Sequence, residues 1–251
     1  MLDGSPPCST FSMAGSREKA WGVEKRFAEG QKLQRLDDLF FVYLDTVEKL
    51  QPKAFVAENV VGLLSGNAKG YVNEILKRTS EIGYEVQLFK LNAAFMGVPQ
   101  RRERVFFIGN RMGWPKLKMK FNEKLVTFGE VRSEHGGKPL PPSAKRLHDL
   151  RKSETCLADV RQRIDGKRSH FNFMVCEDNM PSYTVVASNK VYRGFDATFF
   201  TDIDNRNVAT FPQDYNFGDV ESSFLCGMSV PPSMMANIAH EIKNQWLDKK
   251  E

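Results

Sequence analysis

Cys8 follows two prolines in the run Gly4-Ser5-Pro6-Pro7-Cys8-Ser9-Thr10-Phe11-Ser12. A thiolate is a strong nucleophile, and a rigid proline turn at a strand end is a suitable mount for one. A buried, inert cysteine fits the same residues. Glu58 lies in Ala57-Glu58-Asn59-Val60, directly after a short apolar run at 54–57. Open α/β sheets place ligands at the C-terminal ends of buried strands, where this carboxylate would stand. A solvated loop glutamate is the other reading. Arg101, Arg102 and Arg104 lie in Gln100-Arg101-Arg102-Glu103-Arg104, just before the apolar run 105–108. Guanidinium groups make planar, forked contacts with a base or a phosphate; they could equally form a charged strand edge. Gly227-Met228-Ser229-Val230-Pro231-Pro232 reads as a glycine turn entering a helix.

These residues need elements to hold them. Leu33, Leu36, Leu39, Phe40, Tyr43, Leu44, Val47 and Leu50 recur at helical spacing, and Pro52 ends that helix. Residues 54–57 predict a buried strand. Tyr71, Val72, Ile75, Leu76 and Ile82 predict a helix over 70–82, stopped by Gly83. Strands are expected at 84–91 and 105–108. Helices alternating with apolar strands imply an α/β fold with a mostly parallel sheet. Beyond Gly113 the helical period fades, prolines cluster at Pro139, Pro141 and Pro142, and β-like runs such as 183–187 appear. A second, irregular, β-containing domain is expected over 113–217, with 1–112 and 218–251 forming the first. A final helix follows Pro231 and Pro232, with Met234, Met235, Ile238, Ala239, Ile242 and Trp246 on its apolar stripe.

Composition narrows the class. The chain has 251 residues, enough for one or two cored domains. Mean hydropathy is −0.43, and no apolar run approaches the roughly 20 residues of a membrane span. The start, Met1-Leu2-Asp3-Gly4, lacks the basic and apolar regions of a secretory signal. Cys8, Cys156, Cys176 and Cys226 stand singly, which argues against zinc and for a reducing cytoplasm. The formal charge of +5 is modest. Its distribution says more: Arg17, Lys19, Lys25 and Arg26 cluster early. A second belt runs through Lys116, Lys118, Lys120, Lys138, Lys145, Arg146, Arg151, Lys152, Arg161, Arg163, Lys167 and Arg168. Such a belt is either a solvated face or a phosphate-contacting one.

Order and spacing join these signals. PPCSTFS, then ENV, then QRRERVFFIG, then a basic variable region, then GMSVPP and a helix, resembles the motif order of the DNA (cytosine-5) methyltransferases. Residues 92–99, NAAFMGVP, look like the family's approach to its QxRxR motif. Residues 201–215, TDIDNRNVATFPQDY, are similar to the segment after its recognition region, and Pro181-Ser182-Tyr183-Thr184 to a strand inside that region. The resemblance runs from residue 4 to about 242.

The resemblance implies a Rossmann-like methyltransferase sheet, truncated here, plus a small target-recognition domain at 113–217. By analogy Cys8 would attack C6 of a cytosine flipped out of double-stranded DNA. Glu58 would hold N3 and the exocyclic amine, Arg104 the base carbonyl, and Arg102 would support the site. Pro6, Asn59, Val60 and Gln100 would line the base, and residues 11–31 would form a closing loop. Pro7, Ser229 and Val230 would face the methyl donor, S-adenosylmethionine. Two departures stand out. Only three residues precede Gly4, so the family's glycine-rich donor loop and ribose-binding acid have no counterpart. Ser9 and Met228 replace a usual glutamine and asparagine. The shortened sheet is expected to leave an apolar edge and uncovered faces, and so to need a complementing N-terminal polypeptide or self-association. The expected function is cytosine C5 methylation in a bacterial or phage-encoded system, as in restriction-modification. An inactive remnant or DNA-binding fragment is the alternative, and a tRNA cytosine-5 methyltransferase a further one.

Overall fold

The computed structural model describes residues 1–6, 39–65, 68–141, 154–167, 173–188 and 191–248, and the backbone pairing of 24–25 with 34–35. Pro7, Cys8 and nearly all of the expected 11–31 loop therefore lie outside the described residues. So do Lys145, Arg146, Arg151, Lys152 and Arg168 of the basic belt. In chain order the strands are β1 (Leu2–Gly4), β2 (Glu24–Lys25), β3 (Gln34–Arg35), β4 (Ala54–Val60), β5 (Glu85–Asn92), β6 (Gln100–Arg101), β7 (Glu103–Asn110), β8 (Met174–Cys176), β9 (Ser182–Tyr183), β10 (Val191–Arg193) and β11 (Thr198–Phe199). The helices are α1 (Leu39–Leu50), α2 (Ala68–Glu81), α3 (Phe128–Val131), α4 (Leu157–Asp165), α5 (Asp202–Val208), α6 (Ser222–Met228) and α7 (Pro232–Ile242).

Two compact units result. The first comprises 1–91, 103–119 and 243–251; the second comprises 92–102 and 120–242. The chain crosses between them at 91/92, at 102/103 inside the QRRER motif, at 119/120 and at 242/243.

The first unit holds a four-stranded sheet in the order β1-β4-β7-β5. β1 runs parallel to β4, but β7 runs antiparallel to it over seven residue pairs, from Ala54↔Asn110 to Val60↔Arg104. The sheet is thus mixed rather than mostly parallel. One face carries Phe55, Ala57, Val105 and Phe107, which pack with Phe40, Leu44 and Val47 of α1 and Tyr71, Val72 and Ile75 of α2. Each of the larger aliphatic and phenylalanine side chains among them contributes about 2 kcal/mol by leaving water. The opposite face is not left open as the sequence suggested: Val56, Phe106 and Ile108 are all at most 1% exposed. β1 is the sheet edge, only three residues long and with Asp3 exposed.

Local chemistry explains the boundaries. Gly83, at φ +86°, ends α2. Its N–H donates to the Ser80 carbonyl and that of Tyr84 to the Thr79 carbonyl, the paired bonds of a left-handed helix stop. α1 begins later than expected. Its apolar period reaches back to Leu33, yet Gln34–Arg35 pair as a strand with Glu24–Lys25. Pairing with a distant segment overrides local periodicity there.

The second unit contains the three-stranded sheet β11-β10-β8 and the two-stranded parallel pair β6-β9. Around them lie two apolar clusters, one built on stacked Phe128 and Phe200 and the other on Tyr192, Val175 and Val160. Arg193 and Asp204, both fully buried, meet at 3.5 Å beside Ser133. Of the β-like run at 183–187 only Tyr183 is strand; side-chain hydrogen bonds hold residues 184 and 185.

Candidate functional site

Glu58 is the fifth residue of β4 and Arg104 the second of β7. In the ladder, Glu58 stands opposite Phe106 and Val60 opposite Arg104, so Glu58 and Arg104 are diagonal neighbours on one face. That spacing is within reach of a long side chain. Arg104 Nε lies 3.0 Å from Glu58 Oε1, with the two side chains only 14% and 13% exposed. Burial pulls the Arg104 guanidinium below its usual range, and the adjacent Glu58 carboxylate offsets part of that pull. The result is a charged, nearly dry pair at the C-terminal end of β4.

Asn59 points to the other face and ties this end of the sheet together. Its Nδ2 donates to the Pro6 carbonyl at 3.2 Å, and its Oδ1 accepts from the Val60 N–H at 2.8 Å. Pro6, two residues before Cys8, is thereby fixed beside the β4 terminus that carries Glu58. Pro6, Glu58, Asn59, Val60 and Arg104 all belong to the first unit.

Arg102 and Gln100 belong to the second unit and do a different job. Arg102 is 1% exposed. It donates to the carbonyls of Val185 at 3.1 Å, Gly227 at 2.8 Å and Ser229 at 2.7 Å. Gln100 is wholly buried. Its Nε2 donates to the Val208 carbonyl and its Oε1 accepts from the Val185 N–H, each at 3.1 Å. Expected to line the base, the Gln100 amide is instead committed at both ends inside its own unit. Thr184 adds a bond from Oγ1 to the Arg101 carbonyl at 2.6 Å. The QRRER motif is therefore a hinge of function: its first half staples the 184–185 and 227–229 segments, and its last arginine meets Glu58.

Gly227 is not the turn glycine that the sequence suggested. It lies within α6, and the turn into α7 comes at Ser229-Val230-Pro231. A Cβ on Gly227 would stand 2.3 Å from the Ala187 nitrogen and 2.6 Å from the Val186 carbonyl carbon. Glycine is required there because another backbone passes against the helix.

Of the positions expected to face a methyl donor, Pro7 lies outside the described residues. The Ser229 hydroxyl donates to the Leu225 carbonyl at 2.6 Å, and its carbonyl accepts from Arg102. Ser229 thus closes α6 with its hydroxyl and anchors Arg102 with its carbonyl. Among the described residues no cluster of histidine, cysteine and carboxylate side chains could hold a metal ion.

Comparison with known proteins matches this chain to one family. The sequence pattern of the C-5 cytosine-specific DNA methylases covers residues 1–244. The orphan methyltransferase M.Rho11sI of Bacillus phage rho11s is 40% identical over 67% of this chain and 29% of its own length. The type II methyltransferase M.FnuDI of Fusobacterium nucleatum is 39% identical over 74% of this chain and 52% of its own. The chain thus spans about a third to a half of these relatives. In fold it is similar to DNMT2 of Spodoptera frugiperda, with a TM-score of 0.61 and 14% identity over 96% of this chain and 78% of that one. This chain belongs to the C-5 cytosine-specific DNA methylase family.

Proposed function

We propose that the chain carries the cytosine-binding and target-recognition parts of a DNA cytosine C5 methyltransferase. The observation that supports this most is the buried Glu58–Arg104 pair at the end of β4. Such a pair presents an acceptor and a forked donor to a planar heterocycle in a site with little water, where polar groups act strongly. Covalent geometry keeps position 8 within about 7 Å of Pro6, and Pro6 is bonded to Asn59, the neighbour of Glu58.

In this reading the Cys8 thiolate bonds to C6 of a flipped cytosine and the C5–C6 electron pair shifts to C5. Glu58 hydrogen-bonds N3 and the exocyclic amine, and Arg104 donates to the base carbonyl. Arg102 positions the 184–185 and 227–229 segments, as its three carbonyl bonds suggest. S-adenosylmethionine is the methyl source that the reading implies; the residues named above act on the cytosine alone. A companion polypeptide or a second copy would supply the rest of the methyl-donor site. Residues 113–217 would contact double-stranded DNA in the cytoplasm of a bacterium, the gene being bacterial or carried by a phage.

The test is 5-methylcytosine formation in duplex DNA incubated with S-adenosylmethionine and the chain, first alone and then with an N-terminal donor-binding polypeptide added, read by nucleoside mass spectrometry. Product should form in at least one of the two conditions, and the Cys8→Ser variant should make none in either. Equal product with Cys8→Ser, or product in RNA only, would sink the reading.

A further inference from the structure

The second unit contains an arginine that its own structure does not use. Arg101 stacks on Tyr183, Arg102 holds three carbonyls, and Arg132 is bonded to both oxygens of Asp178. Arg163 pairs with Glu154, Arg193 with Asp204, and Arg206 with the Tyr215 carbonyl and the Phe217 ring. Among the described residues of this unit, Arg161 alone of the arginines has no intramolecular partner. It is exposed on α4, as is the adjacent Gln162, which is likewise unpartnered.

Helix α4 is built to present them. Its start is pinned to β8 by the Leu157 N–H on the Phe173 carbonyl and the Val175 N–H on the Thr155 carbonyl. Ala158 and Val160 are buried beneath it. Its acids are turned to structural use: Asp159 accepts from the Thr155 N–H and the Cys156 thiol, and Glu154 holds Arg163. The outward surface is left with Arg161, Gln162, Ile164 and, just past the helix, Lys167, against one acid, Asp165. An α-helix with its side chains is about 10–12 Å across, a diameter that a DNA major groove about 12 Å wide admits.

Arginine and glutamine are the side chains whose paired hydrogen bonds select guanine and adenine in that groove. We infer that α4 is a base-reading helix, with Arg161 selecting a guanine, Gln162 an adjacent base and Lys167 contacting a phosphate. The inference rests on the DNA reading above and adds the residues that set the target sequence.

The test selects bound duplexes from a random-sequence library with the full chain, and with Arg161→Lys, Arg161→Ala, Gln162→Ala and Lys167→Ala. Lysine keeps the charge but loses the fork. Arg161→Lys should therefore keep affinity for an arbitrary duplex yet lose the preference for guanine at one position by roughly tenfold. Gln162→Ala should relax a neighbouring position. Lys167→Ala should weaken all duplexes alike and lower the slope of log affinity against log salt by about 1. Melting temperatures should not move, since these side chains are exposed and unpartnered. If Arg161→Lys keeps the guanine preference while Arg161→Ala weakens every sequence equally, Arg161 is a phosphate contact and the inference is overturned. A selected site identical for all variants overturns it too. If the unaltered chain selects no duplex, the DNA reading falls and takes the inference with it.

Discussion

Glu58 and Arg104 sit diagonally across an antiparallel strand pair, and their side chains close to 3.0 Å in a nearly water-free position. Neither charge is well placed without the other. Removing one partner of a buried pair costs about 3 kcal/mol, because the survivor stays desolvated. Arg104→Met should therefore destabilise the chain by about that amount in urea unfolding. The double variant Glu58→Gln/Arg104→Met should be more stable than Arg104→Met alone. Strictly additive losses would show that the two side chains do not interact.

Arg102 makes a separate prediction. Its fork reaches three carbonyls from two segments, and an ammonium cannot reproduce that planar geometry. Arg102→Lys should cost about 2 kcal/mol. It should also raise amide exchange at 185 and 227–229 before it affects α1 and α2. Uniform loosening of both units would contradict the stapling role.

Much of the site was legible before the fold. Residues 54–57 were readable as a strand because a short apolar run before Pro-free, charged residues has few other uses; the strand in fact continues to Val60. Glu58 and Arg104 stood out through the order of their motifs. The direction of β7 was missed, although residues 93–102 leave too little chain for the helical crossover a parallel return requires. Gln100 and Arg102 were hidden for another reason. A polar side chain aimed at a distant carbonyl looks, in sequence, like one aimed at a substrate. Gly227 was misread because glycine marks both turns and close backbone approach, and only the position of Ala187 separates them.

Gly227→Ala should be among the most damaging one-atom changes in the second unit. Its Cβ would meet backbone rather than a movable side chain. Overpacking of this kind costs about 1–3 kcal/mol, so the melting temperature should fall by several degrees, as scanning calorimetry would measure. An unchanged melting temperature would mean that 186–187 can move away freely.

Cys176 and Cys226 are held up to about 12 by burial, from an ordinary value of 9. Below pH 9 folded and unfolded chains both keep these protons, so they add no pH dependence. Between pH 9 and 12 the unfolded chain releases them first, and stability falls as pH rises. Cys176→Ala/Cys226→Ala should flatten the decline in urea-unfolding stability over that window. At pH 8 iodoacetamide should spare both thiols in the native chain. Rapid native labelling of either would contradict their burial.

In the proposed mechanism Cys8 and Glu58 together make cytosine C5 nucleophilic. Addition at C6 should let C5 exchange its hydrogen with solvent even with no methyl donor present. The direct measurement is deuterium uptake at cytosine C5 in duplex DNA incubated with the chain in heavy water, read by mass spectrometry. The account predicts uptake above the protein-free rate, abolished by Cys8→Ser and at least tenfold slower with Glu58→Gln. Uptake that persists undiminished in Cys8→Ser, or none with the unaltered chain bound to the duplex, would contradict it.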